Sequence, residues 1–213
     1  MSRPAALLGL LLASCGACER LAGPEAQIAR ALVLLGQGGA RFEVPGGQVE
    51  LVQARFDRLL VKPEGGRFVA VATVDAEARV AEARVSYLGR ERIGFELADG
   101  QWRPTGAALP GLQEILSLML RRAAAAERGD GAALRALVAQ RWSDPHLARQ
   151  ELLGRLEQPA SAPAGRAEAW YVRNERGDAE VLEERRGPGG ELVRRRFRLV
   201  REGSNLRISE GLR

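Results

Sequence analysis

Chemistry at a protein site needs nucleophiles, titratable groups or metal ligands, and this chain offers few of them. It has two cysteines, Cys15 and Cys18, and a single histidine, His146. Neither thiol belongs to a Cys/His/Asp/Glu cluster with metal-ligand spacing. His146 directly follows Asp144-Pro145, the pattern of a helix cap with proline at the first helical position, so its ring belongs on a surface turn. Asp130 and Asp144 are accounted for as caps. No glycine-rich loop follows a strand and opens a helix, and no nucleophile has a base that the sequence assigns to it. The expectation is a protein that is not an enzyme and holds no metal or cofactor.

The group with the clearest chemistry is the Cys15 thiol, because of what precedes it. Arg3 is followed by an apolar run from Ala5 to Ala13 and then by small residues, the layout of a secretory signal. The run is far short of the ~20 residues a transmembrane helix needs. Leu12-Ala13-Ser14-Cys15 resembles the bacterial lipobox, with Leu at −3, small residues at −2 and −1, and the obligatory Cys. Cys18 fits less well, having Cys15 where Leu is wanted. The resemblance implies that residues 1–14 are a signal peptide cut before Cys15, whose sulphur carries a diacylglycerol. Residues 15–23 would then be a lipidated tether. An ordinary secretory signal with both thiols free is the alternative. Gly16 in place of Asp after the modified residue leans towards the outer membrane, on its periplasmic or surface face. Cell-envelope localisation, with the membrane as a partner through acylated Cys15, follows from the same resemblance.

The composition agrees with an ordinary folded chain. A formal charge of +5 over 213 residues favours solubility and weak attraction to anionic surfaces without diagnosing nucleic-acid binding. Pro24 opens a helix carrying Ile28, Ala31, Leu32 and Leu35, which Gly36 and Gly38-Gly39 close. From Gln48 the period becomes that of strands, with Gly65-Gly66, Gly89 and Asp99-Gly100 as turns. Two prolines and two glycines between Pro104 and Gly111 read as a break. A second helix follows through Leu112, Ile115, Leu116 and Met119, then a third through Leu134, Leu137, Val138 and Trp142, and a fourth from Asp144 to Leu156. Strands are expected at Ala167–Arg173, Ala179–Arg186, Leu192–Arg201 and Asn205–Ser209. The expected domains are 24–104, a helix plus antiparallel β-meander, and 112–213, joined by a linker at 105–111.

Helix, Gly129-Asp130-Gly131 break, helix, short helix and antiparallel sheet is an order that resembles the nuclear transport factor 2-like superfamily, including its SnoaL-like members. The local marker is Ala125-Ala126-Glu127-Arg128-Gly129-Asp130 with Leu134 and Leu137 behind it. The resemblance covers 112–211 and implies an α+β fold in which helices pack on a curved antiparallel sheet, a cystatin-like cone. Strand parity would then line the cone with Glu168, Trp170 and Val172, and with Phe197 and Leu199, opposite Leu116, Met119 and Trp142 from the helices. Residues of these types also pack an ordinary core. Enzymatic members of the superfamily hold an acid, histidine or tyrosine inside the cone, and Glu168 is the one acid whose parity points inwards.

Arg194-Arg195-Arg196-Phe197-Arg198 is the most conspicuous charge feature. A cationic stripe for lipid, glycan or nucleic-acid phosphates is one reading. The other pairs it with the preceding strand, in a register that sets Val181 opposite Phe197 and Ala179 opposite Leu199. That register also places Glu183 opposite Arg195, Glu184 opposite Arg194 and Glu180 opposite Arg198, which neutralises the run. The secretory signal argues against nucleic acid. The sequence therefore points to a lipid-anchored, non-catalytic binding or scaffolding module for an envelope protein or a small apolar ligand. The alternative is a tethered SnoaL-like isomerase or dehydratase.

Overall fold

The computed structural model describes residues 23–139, 167–175, 177–187 and 189–211. Pro24 at the first position opens α1 (Pro24–Gly36), whose Ile28 and Leu32 are buried. This helix ends directly on the sheet: a Cβ at Gly36 would lie 2.3 Å from the Ala54 carbonyl oxygen. Five strands follow: β1 (Arg41–Val44), β2 (Gly47–Glu64), β3 (Arg67–Val80), β4 (Ala83–Ala98) and β5 (Gln101–Pro104). Gly65-Gly66 and Asp99-Gly100 turn the β2–β3 and β4–β5 hairpins, and all four residues have positive φ, as tight hairpin turns with matching twist require.

Two local expectations need correcting. Gly89 is not a turn but lies within β4, paired with Val74 of β3. A Cβ there would lie 2.4 Å from the Tyr87 hydroxyl and 2.8 Å from Asn174 Cβ, so the missing side chain makes room for neighbours. The strand β1 is an addition to the expected elements; its register with β2 begins at Val44 opposite Gly47.

The second helix, α2 (Pro110–Glu127), buries Leu112, Ile115, Leu116, Leu118 and Met119. It is followed by α3 (Gly131–Leu137), where the Asp130 carboxylate accepts from the Ala133 N–H at 2.9 Å. The helical period in the sequence runs on through Val138 to Trp142. Instead α3 ends at Leu137, and extended Val138 makes a parallel bridge to Ile208. Trp142 and the expected fourth helix lie outside the described residues. The chain resumes with β6 (Ala167–Glu175), β7 (Asp178–Arg186), β8 (Leu192–Glu202) and β9 (Asn205–Gly211).

The strands form one sheet in the order β1-β2-β3-β4-β6-β7-β8-β9, antiparallel except at β4–β6, with β5 also paired to β4. Since β3 occupies one edge of β4, the other edge is shared. There, β6 pairs with residues Arg84–Gly89, and β5 pairs with Phe95–Ala98. The expected boundary at 105–111 is therefore not a break between two bodies. Pro110 and Gly111 form the first turn of α2, and side chains from both halves belong to one buried cluster. A strand edge left open by the first half is closed by a strand of the second, which buries backbone groups that would otherwise lack partners. The class is α+β, helices on a large, mostly antiparallel sheet. Among the described residues, no helix is long and apolar enough to cross a membrane.

Candidate functional site

The inner face of the sheet holds a buried carboxylate ringed by arginines. Alternation along β7 puts Val181, Glu183 and Arg185 on one face, and pairing brings Trp170 of β6 and Arg195 of β8 beside Glu183. On α2, Arg122 lies three positions beyond Met119, on the helix's buried face. The Glu183 carboxylate is fully buried and accepts from Arg185 Nε at 2.6 Å, Trp170 Nε1 at 3.0 Å and Arg122 Nη1 at 3.4 Å. The Arg122 guanidinium also stacks 4.4 Å from the Phe197 ring centroid, a cation–π contact in a desolvated setting.

Burial pushes the Glu183 carboxyl up, but the guanidiniums of Arg122 and Arg185 and the Arg185 and Trp170 hydrogen bonds together hold it below the ordinary range. Desolvation brings Arg122 down to about 10 against the attraction of Glu183, with Arg185 and Arg195 adding repulsion. Both groups are thus charged near neutrality, and the carboxylate's oxygens are occupied by donors. This arrangement holds charge in place; it does not offer a base.

A second buried carboxylate closes the gap in the shared edge of β4. Glu91 lies between the segment paired with β6 and the segment paired with β5, and it accepts from the Gly111 and Leu112 N–H groups at 2.9 Å each. These are the free donors of the first turn of α2. The Tyr87 hydroxyl donates to Glu91 at 2.6 Å and accepts from Asn174 Nδ2 at 3.1 Å, so one network joins β4, β6 and α2. Burial raises the Glu91 carboxyl, opposed by the bonds from Tyr87, Gly111 and Leu112. Burial also raises the Tyr87 hydroxyl, with the Glu91 charge adding to it. Every partner is a donor satisfied inside the protein, which makes this cluster a clamp between helix and sheet.

Of the residues expected to line a cone, Leu116, Met119, Trp170, Val172, Phe197 and Leu199 do converge on the inner face, and none is more than 4 % exposed. Glu168 does not join them. A bulge between Ala167 and Ala169 breaks the parity of β6, and Glu168 turns outwards to Arg186 Nε at 2.6 Å. Trp142, His146 and Cys15 lie outside the described residues. The interior acid is Glu183, to which the sequence assigns only the neutralising of Arg195. The signal is present in that register: Glu183 shares parity with Val181, so it has to face the core with Phe197. Among the described residues, no group of three or more His, Cys, Asp or Glu side chains is placed to hold a metal ion. Among the described residues, the opposite face carries a shallow groove of about 490 Å3 over the β4–β6 seam, where Leu88 and Tyr171 remain exposed.

These features define an α+β protein whose inner sheet face is packed against a helix through apolar contacts and one ion cluster. No protein-family model matches the chain, and no curated protein does. Among solved structures, a chain described as an "Ntf2 like protein involved in plasmid conjugation" is similar, with a TM-score of 0.32, 8% identity and 76% of each chain covered.

Proposed function

We propose that the chain is a lipid-anchored protein of the cell envelope that works by binding or scaffolding and not by catalysis. The observation supporting the non-catalytic part is the packing of the described inner face: its apolar lining is 4 % exposed or less, and the Glu183 carboxylate among it is held by three residues. A general base needs a free lone pair within hydrogen-bond reach of a substrate, and each Glu183 oxygen already accepts twice, one from Arg122 and Arg185 Nε and the other from Trp170 and, at 3.5 Å, Arg185 Nη2. The anchor rests on the lipobox-like Leu12-Ala13-Ser14-Cys15, since acyl chains partition into a bilayer at about 0.8 kcal/mol per buried methylene. The pairing of Arg194 with Glu184 at 2.8 Å and of Arg196 with Glu180 at 2.7 Å favours a neutralised strand over a phosphate-binding stripe. The test is fractionation of cells making the full chain. It should sediment with membranes, resist high salt and leave them only with detergent; recovery in the soluble fraction without detergent contradicts the proposal.

A further inference from the structure

The helix that opens the described body is apolar almost all the way round. Between Ala26 and Gly36 of α1 the only polar side chains are Gln27 and Arg30. A helix without a polar face is ordinarily buried on every side. Yet the sheet takes one side of α1, through Ile28 and Leu32 with Ala31 and Leu35 beside them. Ala26, Arg30, Val33 and Leu34, three to four positions apart, share the other side and are exposed. Val33 is 63 % and Leu34 55 % exposed. Just past the helix, Gly38 lies against the Val52 carbonyl, and Val52 is exposed as well, so the apolar surface continues onto β2.

Where the chain leads says what covers this face. Gly23, the residue before α1, comes eight residues after Cys15. Whatever their conformation, those links keep the start of α1 within about 29 Å of the Cys15 sulphur, at ~3.6 Å per residue. A link this short presents what it joins at an effective concentration on the order of millimolar, an advantage that an unlinked second copy lacks. The one charge on the face, Arg30, has the sign that anionic headgroups attract, and its stem can lie along apolar surface.

We infer that the exposed face of α1 rests on the bilayer, with Val33 and Leu34 lying just below the headgroups. This deepens the anchored reading and rests on it for the bilayer's place beside α1. It sets the β2 side of the sheet against the membrane and the start of β8, beyond four intervening strands, away from it.

A fluorophore on Val33→Cys tests the docking, in the acylated chain with Cys18→Ser, reconstituted in vesicles of phosphatidylethanolamine and phosphatidylglycerol that contain a nitroxide-labelled lipid. Leu192→Cys, exposed at the start of β8, is the comparison. Quenching at residue 33 should exceed that at residue 192 severalfold. Leu34→Glu, at an exposed position, should remove the difference while leaving the thermal midpoint unchanged. Equal quenching at the two positions, or quenching that survives Leu34→Glu, overturns the inference. Disulfide linkage of two chains through Val33→Cys without lipid quenching assigns the face to a second copy and overturns it too. An acylated chain unquenched at residue 33 would keep the anchor and remove the docking. A chain without acyl groups that binds the vesicles and is quenched there would keep the docking and remove the anchor.

Discussion

Glu183 stays ionised inside the protein because two guanidiniums and an indole N–H replace the water it lost. Such a cluster is costly to break from one side, since the remaining charges stay buried without a counter-charge. Glu183→Gln should therefore destabilise the protein by about 3 kcal/mol at neutral pH, measured by urea unfolding. The carboxyl is held below its usual 4.5 in the folded state, so its contribution is full above that value and declines as pH falls through the folded one. The gap between wild type and variant should shrink on the acid side only; a gap independent of pH would show that charge is not the cause. The identities of the buried partners are not legible from sequence. Trp170 and Phe197 read correctly as inward-facing, but nothing in a linear pattern brings Arg122 from a helix to a strand 61 residues on. Strand parity misplaces Glu168 because a bulge, which no residue type there announces, flips that parity along β6.

At the scale of elements, local signals serve well wherever the pairing is local. The β7–β8 register follows from matching apolar and opposite-charge residues across a hairpin, and Val181 opposite Phe197 with Ala179 opposite Leu199 is observed. One pair then takes a diagonal: Glu180 meets Arg196, although its backbone partner is Arg198, while Glu184 keeps its opposite residue Arg194. Gly89 shows where local reasoning stops. It reads as a turn in isolation, yet its role is to admit Tyr87 and Asn174 from the network that clamps α2. Gly89→Ala should cost about 1–3 kcal/mol, because the added methyl meets a strand neighbour as well as the tyrosine. Thermal unfolding checks this, and a variant as stable as wild type would show that the neighbours yield without cost. Asp130→Ala, by comparison, should cost only about 1 kcal/mol through loss of the α3 cap.

For the whole molecule, the parallel β4–β6 ladder is decisive. A composition break at 105–111 reads as a linker, but parallel pairing between β4 and β6, which β5, α2 and α3 separate among the described residues, leaves no signature in either strand. Because one sheet and one core include residues from both sides, the described body should unfold in a single transition. Tryptophan fluorescence and far-UV circular dichroism should give coincident urea midpoints, as Trp102 and Trp170 lie on either side of the 105–111 segment. Two separated transitions would contradict a shared core. Attachment of this body to a membrane through the Cys15 sulphur is tested most directly by metabolic labelling with a radioactive fatty acid. The wild-type chain should take up the label and Cys15→Ser should not; equal labelling of the two, or none in the wild type, would contradict it.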